Sequence, residues 1–344
     1  MAIKKGQLYE GLITEYKFPD TGKTIAEGCP VLIKGTLPGQ RVSFNISRKR
    51  SGTSKGNLRE VLERSPLEDR EPECEYFGLC GGCAYQRLSY ENQLKLKAGA
   101  VKELLDKVYE DYEFEGILPS PLESGYRNKM EFSFGDESKG GVFALGLHKK
   151  GSFYDILNIR KCSLVHPDID MVRNAVRDFF AGYYEKGMVD FHNTRSHKGY
   201  LRHLLIRRSA STGEVLAALV TAPVGAEDMP TAVTKELEEE FAAGLASCLK
   251  SLPLSGSMAG AFLVHNSSLS DVVRNDGLRL LFGKDHITEN ILGLDFKISL
   301  FSFFQTNPKG AEVLYSKARE YAGKDLKCGV LYDLYCGTGT IAQI

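Results

Sequence analysis

The sequence predicts a multi-domain chain: an N-terminal OB-like β-barrel, a central α/β (α+β) domain, and the start of a Rossmann-like α/β domain. Three observations predict this fold class. Short apolar runs alternate with turn residues over 1–64, and strand-like and helix-like patterns mix around a cysteine cluster over 65–300. Over 301–344 a helix, an apolar run and a glycine-rich turn follow in that order. We therefore place the domain boundaries at 64 and 300.

The composition is that of an ordinary globular protein with a sizeable core, since the 344 residues are 42% hydrophobic and 26% charged. No apolar run approaches the length of a membrane span, and the first ten residues lack the apolar core of a signal peptide. We therefore expect a cytoplasmic protein. In a reducing cytoplasm, cysteines are more often metal ligands or core residues than disulfides.

The first 64 residues combine strand patterns with a local excess of positive charge. Residues 1–60 contain 11 Lys/Arg and 5 Asp/Glu, although the whole chain has a net charge of zero. Small barrels of this kind bind single-stranded nucleic acid through a basic groove and aromatic side chains. Charge alone favours a plain solvated face. The predicted strands are Tyr9–Tyr16, Pro30–Ile33, Arg41–Ile46 and Leu58–Leu62, and the candidate aromatic contacts are Tyr9, Tyr16, Phe18 and Phe44.

Three cysteines lie close together in the loop that follows the barrel. Cys74, Cys80 and Cys83 form the pattern C-x5-C-x2-C, which is typical of thiolates that surround one metal centre. Cys162 has polar neighbours at a strand-to-helix junction and is our fourth ligand. The spacing does not distinguish zinc from an iron–sulfur cluster, and a set of reduced, buried cysteines is a further alternative.

The central region alternates between strand and helix patterns. A helix capped by Ser89 has an apolar stripe that ends at Val108. Two more helices have their apolar faces at Ile169, Val172, Val176 and Phe179, and at Val233, Leu237, Phe241 and Leu245. The predicted strands are Met130–Phe134, Val142–Leu147, Leu201–Arg207, Val215–Thr221 and Ala261–Val264.

The last 40 residues predict the beginning of a nucleotide-binding fold. Asn307-Pro308 is a good helix start, and Val330–Leu334 reads as a buried strand that ends in the turn of Gly337 and Gly339. Asp333, at the strand end, would repel the pyrophosphate of NAD, whereas the ammonium or sulfonium group of S-adenosylmethionine (SAM) tolerates a carboxylate there. Such a sheet needs several more βα units, so we expect the fold to be opened but not completed.

Taken together, these segments resemble the bacterial RNA 5-methyluridine methyltransferases, in particular the 23S ribosomal RNA uracil-5-methyltransferase group. The resemblance covers the whole chain. It depends on Leu37-Pro38-Gly39 in a TRAM-like stretch, the cysteine pattern with Cys162, Gly125–Lys129, Phe303–Asn307 and Asp333–Gly339. It implies a class I SAM-dependent methyltransferase that acts on 23S ribosomal RNA, and we expect a monomer.

The resemblance also implies roles for individual residues. Helix 89–109 is expected to pack on the methyltransferase domain. Thr340 stands where many relatives have Asn, and both side chains offer an oxygen and a donor. The implied roles are a 4Fe–4S cluster on Cys74, Cys80, Cys83 and Cys162, SAM against Gln305, Tyr335, Thr340, Asp333, Gly337 and Gly339, and RNA along Arg127, Lys129, Arg202 and Phe304.

In such relatives a cysteine thiolate adds to carbon 6 of uracil, carbon 5 attacks the SAM methyl group, and a carboxylate removes the remaining proton. The nucleophilic cysteine and the glutamate whose carboxylate removes the proton lie beyond the glycine turn in relatives. We therefore expect a C-terminally truncated chain without turnover. Cys336 is not a substitute. The alternatives are a tRNA-directed member, which generally lacks barrel and cluster, and a non-catalytic RNA-binding fragment. A radical-SAM enzyme would need C-x3-C-x2-C, which the sequence does not contain.

Overall fold

The chain forms two compact units in the computed structural model. The first comprises Met1–Gly78 and Gly82–Pro119, and the second comprises Leu79–Gly81 and Ser120–Ile344. Two residues of the sequence patterns lie outside the described residues: Arg50, the last of three consecutive basic residues, and Thr338 of the glycine turn. Within the described part, no helix has the length and apolar character needed to cross a membrane. The structure describes residues 3–49, 52–270, 272–323, 330–337 and 339–344.

The first unit contains one six-stranded sheet and one helix. Its strands are β1 (Leu8–Leu12), β2 (Glu15–Lys17), β3 (Thr21–Ala26), β4 (Cys29–Lys34), β5 (Arg41–Arg48) and β6 (Ser54–Glu63). Their order in the sheet is β1-β5-β6-β4-β3-β2, with β4 and β6 parallel. The apolar side chains of these strands form a core that contains Ile13, Val31, Ile33, Val42, Phe44 and Ile46.

This sheet closes on itself because β1 also approaches β3. A Cβ atom on Gly11 would lie 2.3 Å from Thr24 Oγ1, so only glycine permits that approach. Just after β1, Thr14 N donates to Lys23 O at 3.0 Å. The predicted strands of this region are present, together with a strand at Thr21–Ala26 that the sequence patterns did not predict.

The helix of the first unit, α1 (Tyr90–Asp106), begins where the sequence predicts. The Ser89 hydroxyl accepts a hydrogen bond from Asn92 N, and Glu91 lies in the first turn. Asp69 accepts from Ser89 N at 2.6 Å and anchors this helix start. No residue of α1 is buried in the described chain, and three residues of the predicted apolar stripe, Val101, Leu105 and Val108, are exposed.

The second unit is built on a seven-stranded mixed sheet. Its strands are β7 (Lys129–Asp136), β8 (Phe143–His148), β9 (Ile156–Leu157), β10 (Leu201–Arg208), β11 (Glu214–Thr221), β12 (Ser257–His265) and β13 (Gly277–Gly283). Their order is β13-β12-β11-β10-β7-β8-β9. All five predicted strands of this region are present, and β9 and β13 were not predicted.

Both faces of this sheet are covered, which explains the nearly continuous apolar sequence of β11. The helices α2 (Pro167–Glu185) and α3 (Lys235–Lys250) contact the sheet, and α3 connects the parallel pair β11 and β12. In α2 the buried phenylalanine is Phe180, one residue after the predicted Phe179. A second core joins alternate β11 residues to the hairpin β14 (His286–Ile291) and β15 (Leu294–Ser299) and to α4 (Pro308–Gly323).

The chain after α4 differs from the prediction. Val330–Leu334 is not a buried strand: its backbone is irregular, and Val330 is 74% exposed and Leu334 78%. An apolar strand is buried only where neighbouring strands pair with it. No strand of the described chain pairs with this run. The short helix α5 (Thr340–Gln343) follows the glycine turn.

Candidate functional site

A loop between β15 and α4 contains Phe303-Phe304-Gln305-Thr306-Asn307, and a buried arginine holds its beginning. Arg207 is 3% exposed. Its Nε donates to Leu300 O at 2.8 Å, and its Nη2 donates to Ser302 O. Burial lowers the pKa of Arg207 to about 10, so the guanidinium stays charged at neutral pH. Two carbonyls of the loop are therefore bound by one cation from β10.

Asn128 binds the other half of the same loop. Asn128 N donates to Thr306 O at 2.9 Å, and its Nδ2 donates to Gln305 O at 3.1 Å. Asn128 O in turn accepts from Arg208 N at 2.8 Å. The motif at 125–129 and the motif at 303–307, which the sequence analysis identified separately, are thus joined through their main chains.

The end of this loop is set by the start of α4. Asn307 Oδ1 accepts from Gly310 N at 2.9 Å, which confirms the predicted asparagine cap. Asn307 Nδ2 donates to Ser120 Oγ at 3.0 Å. The half-buried side chain of Gln305 forms a hydrogen bond with Tyr315, and burial raises the pKa of that tyrosine. The hydrogen bond to Tyr315 therefore holds the Gln305 side chain against α4.

The two phenylalanines of the loop differ in exposure. Phe304, our predicted RNA contact, is 8% exposed, belongs to the core cluster and lies 6.2 Å from the ring of Phe296. Phe303 is 71% exposed. Adjacent residues of an extended segment point to opposite sides, so only one of the pair can face solvent. The exposed aromatic side chain at this site is Phe303.

The glycine turn forms a compact cap before α5. Asp333 Oδ2 accepts from Ala342 N at 3.2 Å, and Gly339 N donates to Cys336 O at 2.8 Å. Gly337 and Gly339 adopt positive φ angles of 56° and 70°, as the predicted close turn requires. Tyr335 also has a positive φ, and its side chain is fully exposed.

The turn meets the same core as the loop before α4. Thr340 is 6% exposed, and Ile344 packs against the cluster that contains Phe304 and Tyr315. The segment that begins with the glycine turn and the loop that contains Gln305 thus pack against the same hydrophobic core. Both were predicted to contact SAM.

The four predicted metal ligands are cysteines of intermediate exposure that form no disulfide bond in the described residues. In the first unit, Cys74 N donates to Gln86 Oε1 at 3.2 Å. In the second unit, Cys80 pairs with Lys149 in an isolated antiparallel bridge, and Cys162 N donates to Asp170 Oδ2 at 3.0 Å. The described residues contain no group of three or more His, Cys, Asp or Glu side chains arranged to bind a metal ion. The ligand set therefore stays a prediction.

The predicted RNA contacts of the central region differ in exposure. Arg127 is half-buried and its Nε donates to Lys129 O at 3.1 Å, while Lys129 Nζ pairs with Glu131 at 2.8 Å. Arg202 is only 3% exposed, and its guanidinium donates to the carbonyls of Asn266, Ser268 and Ser270. Because these carbonyls accept hydrogen bonds from its guanidinium, Arg202 holds the loop at 266–270 in place.

Two residues that shape this site were not singled out in the sequence. Asn128 was only part of a motif, and Tyr315 was not noticed. A signal for Tyr315 was present, because it follows Pro308 by seven residues and so shares a helix face with it and with Ala311. The role of Asn128 depends on a contact 177 residues away, which no local pattern reveals.

Comparisons with known proteins give consistent results. No protein-family model matches the chain. The chain is 43% identical over 343 residues to an RNA methyltransferase of Caldanaerobacter subterraneus subsp. tengcongensis, covering 99% of this chain and 72% of that protein. It is 42% identical over 343 residues to an RNA methyltransferase of Clostridium acetobutylicum, covering 99% and 71%.

Among solved structures, the chain resembles the Pyrococcus abyssi tRNA (uracil-54, C5)-methyltransferase in complex with S-adenosyl-L-homocysteine. The TM-score is 0.66 and the identity is 23%, and the match covers 97% of this chain and 69% of that one. At this identity the likeness shows a shared fold.

Proposed function

The chain belongs to a family of RNA methyltransferases, and on that premise we propose that it serves the SAM-dependent methylation of carbon 5 of a uridine, with 23S ribosomal RNA as the target. The observation that carries the proposal is the main-chain junction between Asn128 and Gln305-Thr306. It joins two of the motifs on which the resemblance to uracil-5-methyltransferases depends. The solved protein with the same fold acts on uracil C5 of a tRNA.

The proposed SAM contacts are Gln305, Asp333, Tyr335 and Thr340, with the backbone of Gly337 and Gly339. SAM supplies an electrophilic methyl group when bound. The carboxylate of Asp333 would favour its ammonium group, and the two glycines would let the backbone approach the ligand. The hydrogen bonds from Asn128 and Arg207 would keep the loop before α4 in a single position, so that binding does not have to order it.

The SAM proposal is tested by equilibrium binding of radiolabelled SAM to the purified chain. Tyr335→Ala and Gln305→Ala are expected to raise Kd about tenfold, since one lost contact worth about 1.4 kcal/mol changes Kd by that factor. Tyr332→Ala is the matched control, because Tyr332 is also exposed, at 77%, and has no proposed contact. Equal affinities in all four proteins would contradict the assignment of this turn.

The RNA target separates our proposal from its nearest alternative, a tRNA uridine methyltransferase. The closed barrel with its basic segment favours ribosomal RNA, while the fold relative acts on tRNA. Phe44 is fully buried, so Phe18, which is 55% exposed, is the best placed aromatic contact of the barrel. Filter binding to 23S ribosomal RNA fragments and to tRNA transcripts at several salt concentrations tests the preference. Tighter binding to tRNA would favour the alternative.

We assign no nucleophile and no general base among these 344 residues. Cys336 is exposed within the cofactor turn, and its Sγ lies 3.9 Å from Gly337 O. We therefore propose that these residues supply contacts to SAM and RNA, and that the nucleophile and the base are not among them. Incubation with methyl-labelled SAM and 23S ribosomal RNA, followed by nucleoside analysis, checks this expectation. Formation of 5-methyluridine would show that a catalytic pair lies within the chain and that our assignment is wrong.

We also propose that Cys74, Cys80, Cys83 and Cys162 are the ligands of a 4Fe–4S cluster. Support comes from the C-x5-C-x2-C spacing. Gly78 within the loop has a φ of 87°, a conformation that glycine adopts readily.

Anaerobic purification with iron and sulfide analysis tests this ligand set. Cys80→Ser should remove the brown chromophore, whereas Cys248→Ser should leave it, because Cys248 is a half-buried residue of α3 that does not belong to the proposed set. Zinc in the wild-type protein, or an absorption spectrum that Cys80→Ser does not change, would contradict the proposal.

A further inference from the structure

The second unit contains a cavity of about 540 Å³ whose lining includes Arg202 but no residue of the proposed SAM site or of the cysteine set. It lies beside the ends of β7, β8 and β9 and the loop at 191–195. This volume is within the range of sites that enclose small organic ligands. The residues that decide what it could bind are Ser133, His148, Phe153, Tyr154, Arg195 and His203.

One wall of the cavity is aromatic and open to solvent. Phe153 is 58% exposed and Tyr154 is 47% exposed, although both are large apolar side chains. The guanidinium of Arg195 lies 3.9 Å from the ring centre of Tyr154, and the ring of His148 lies 6.0 Å from that of Phe153. Exposed aromatic rings and an arginine plane are the surfaces on which unpaired bases stack.

The floor of the cavity is polar. Ser133 Oγ lies 3.3 Å from His203 Nδ1 and 3.5 Å from His148 Nε2, which places a hydroxyl between two imidazoles. Hydroxyl and imidazole groups can each donate or accept a hydrogen bond. This floor can therefore pair with the edge of a base, which also presents both donors and acceptors.

The charge at the cavity favours an anion near its mouth. Lys139 and Arg195 line it, and Lys149 and Lys150 precede the aromatic pair in an exposed loop. Two acids also line the cavity, Asp136 and Asp155. Asp136 Oδ2 already accepts a hydrogen bond from Gly140 N at 2.7 Å. A phosphodiester would thus meet cations at the rim, with the base inside.

The segment Leu79–Gly81 supports this wall. Gly81 N donates to His148 O at 3.3 Å, and Lys150 N donates to Leu79 O. The backbone that presents His148, Lys149 and Lys150 is therefore held on both sides of Cys80.

We propose that this cavity binds one unpaired nucleotide of the RNA substrate, with its base in contact with the two mutually perpendicular rings of Phe153 and Tyr154, stacked on one and edge-on to the other, and its phosphate near Arg195. This inference rests on the proposed function, because it takes RNA as the substrate. A free mononucleotide shares the same chemistry. The test therefore compares a short single-stranded RNA, an RNA duplex, UMP and AMP as probes.

The principal measurement is the affinity of the whole chain for the single-stranded RNA. Tyr154→Ala and Phe153→Ala should each weaken binding roughly 5- to 150-fold, the range that loss of one base–aromatic stack produces. Tyr321→Ala is the matched control, since Tyr321 is 49% exposed and also contacts a cation, Lys317, at 4.7 Å. Thermal melting confirms that these exposed substitutions leave the fold intact.

Two variants of Arg195 separate the contribution of its positive charge from that of its planar guanidinium group. Arg195→Lys keeps the charge and should show the same salt dependence of binding as the wild-type chain. Arg195→Gln removes the charge and should reduce the slope of log K against log salt concentration by roughly 0.7. Photo-crosslinking with 4-thiouridine in the RNA should label the peptide that contains Phe153 and Tyr154.

The outcomes distinguish this inference from the proposed function. If the wild-type chain binds no RNA, the proposed function fails. If it binds RNA with equal affinity in Tyr154→Ala, Phe153→Ala and the control, only the cavity assignment fails. Tighter binding of UMP or AMP than of the RNA, or crosslinks confined to other peptides, would also overturn the cavity assignment.

Discussion

Replacement of Asp168 by asparagine is a sharp test of how the second unit supports the candidate site. The Asp168 carboxylate is 2% exposed. It accepts hydrogen bonds from Arg208 Nε at 2.8 Å, from Ser255 N at 2.9 Å and from Gly256 N at 3.2 Å. Arg208 also donates its backbone N–H to Asn128, the residue that binds the loop before α4. One carboxylate thus connects α2, β10 and the turn before β12.

The expected cost follows from this burial. Removal of one partner from a buried, hydrogen-bonded charge pair costs about 3–5 kcal/mol, because the arginine is left without its counter-ion. For a unit of this size each kcal/mol lowers Tm by about 2–4 °C, so Asp168→Asn should lower it by roughly 6–20 °C at pH 7.

The pH dependence supplies a second readout. Burial would raise the pKa of Asp168, but hydrogen bonds from Arg208, Ser255 and Gly256 outweigh burial and keep that pKa below its ordinary value of 3.8. A lowered carboxyl pKa stabilises the fold above pH 3.8, and this contribution disappears as the pH falls through the folded-state pKa. The difference between wild type and Asp168→Asn should therefore be complete at pH 7 and should shrink below about pH 3.8.

Circular dichroism melts at pH 7 and pH 3, together with SAM binding, provide the assay. Glu239→Gln is the control, since Glu239 pairs with Arg279 Nη2 at 2.7 Å and both side chains are at least half exposed. Exposed pairs contribute about 0–1 kcal/mol, so this variant should melt close to wild type. Equal melting temperatures for Asp168→Asn and Glu239→Gln at pH 7, or a gap between wild type and Asp168→Asn that is as wide at pH 3 as at pH 7, would refute the reasoning.

Three further predictions concern packing and the loop before α4. Gly11→Ala should destabilise the sheet of the first unit by about 1–3 kcal/mol, because its new methyl group would clash with β3. Gly99→Ala, whose methyl group would lie in open space on α1, should instead stabilise the helix by about 1 kcal/mol. Chemical denaturation in which both variants change the free energy of unfolding in the same direction would contradict this. Phe304→Ala should cost about 3–5 kcal/mol, while Phe303→Ala should change stability by less than about 0.5 kcal/mol and weaken RNA binding, as measured by melting and filter binding. Arg207→Lys should weaken SAM binding by leaving one of two loop carbonyls without its donor, and unchanged affinity would show that the loop needs no such anchor.

Local sequence patterns predicted the elements whose signals are complete within one segment. The apolar runs that became β10, β11 and β12 are buried on both faces, and such strands need no alternation to be recognised. The caps at Ser89 and Asn307 depend on side chains that bond to backbone groups three residues later, so they are also local.

The elements that were missed depend on contacts that a local pattern does not contain. The hairpin of β14 and β15 has a two-residue turn at Leu292-Gly293, with φ angles of 50° and 90°, and its glycine was the available signal. Phe303 and Phe304 are identical residues in sequence. Only the core formed with Phe296 and α4 decides which of them is buried.

The same distinction applies to the candidate site. Residue types at a turn, such as Asp333 before Gly337 and Gly339, can indicate a ligand because the chemistry lies within one segment. The precision of the site, in contrast, depends on Asn128, which satisfies two carbonyls of the loop that contains Gln305. Replacement of Asn128 by aspartate would keep its volume but remove the Nδ2 donor, and a buried carboxylate would then face the carbonyl of Gln305. Loss of SAM affinity in that variant, with the barrel of the first unit still folded, is what a positioning role for Asn128 requires.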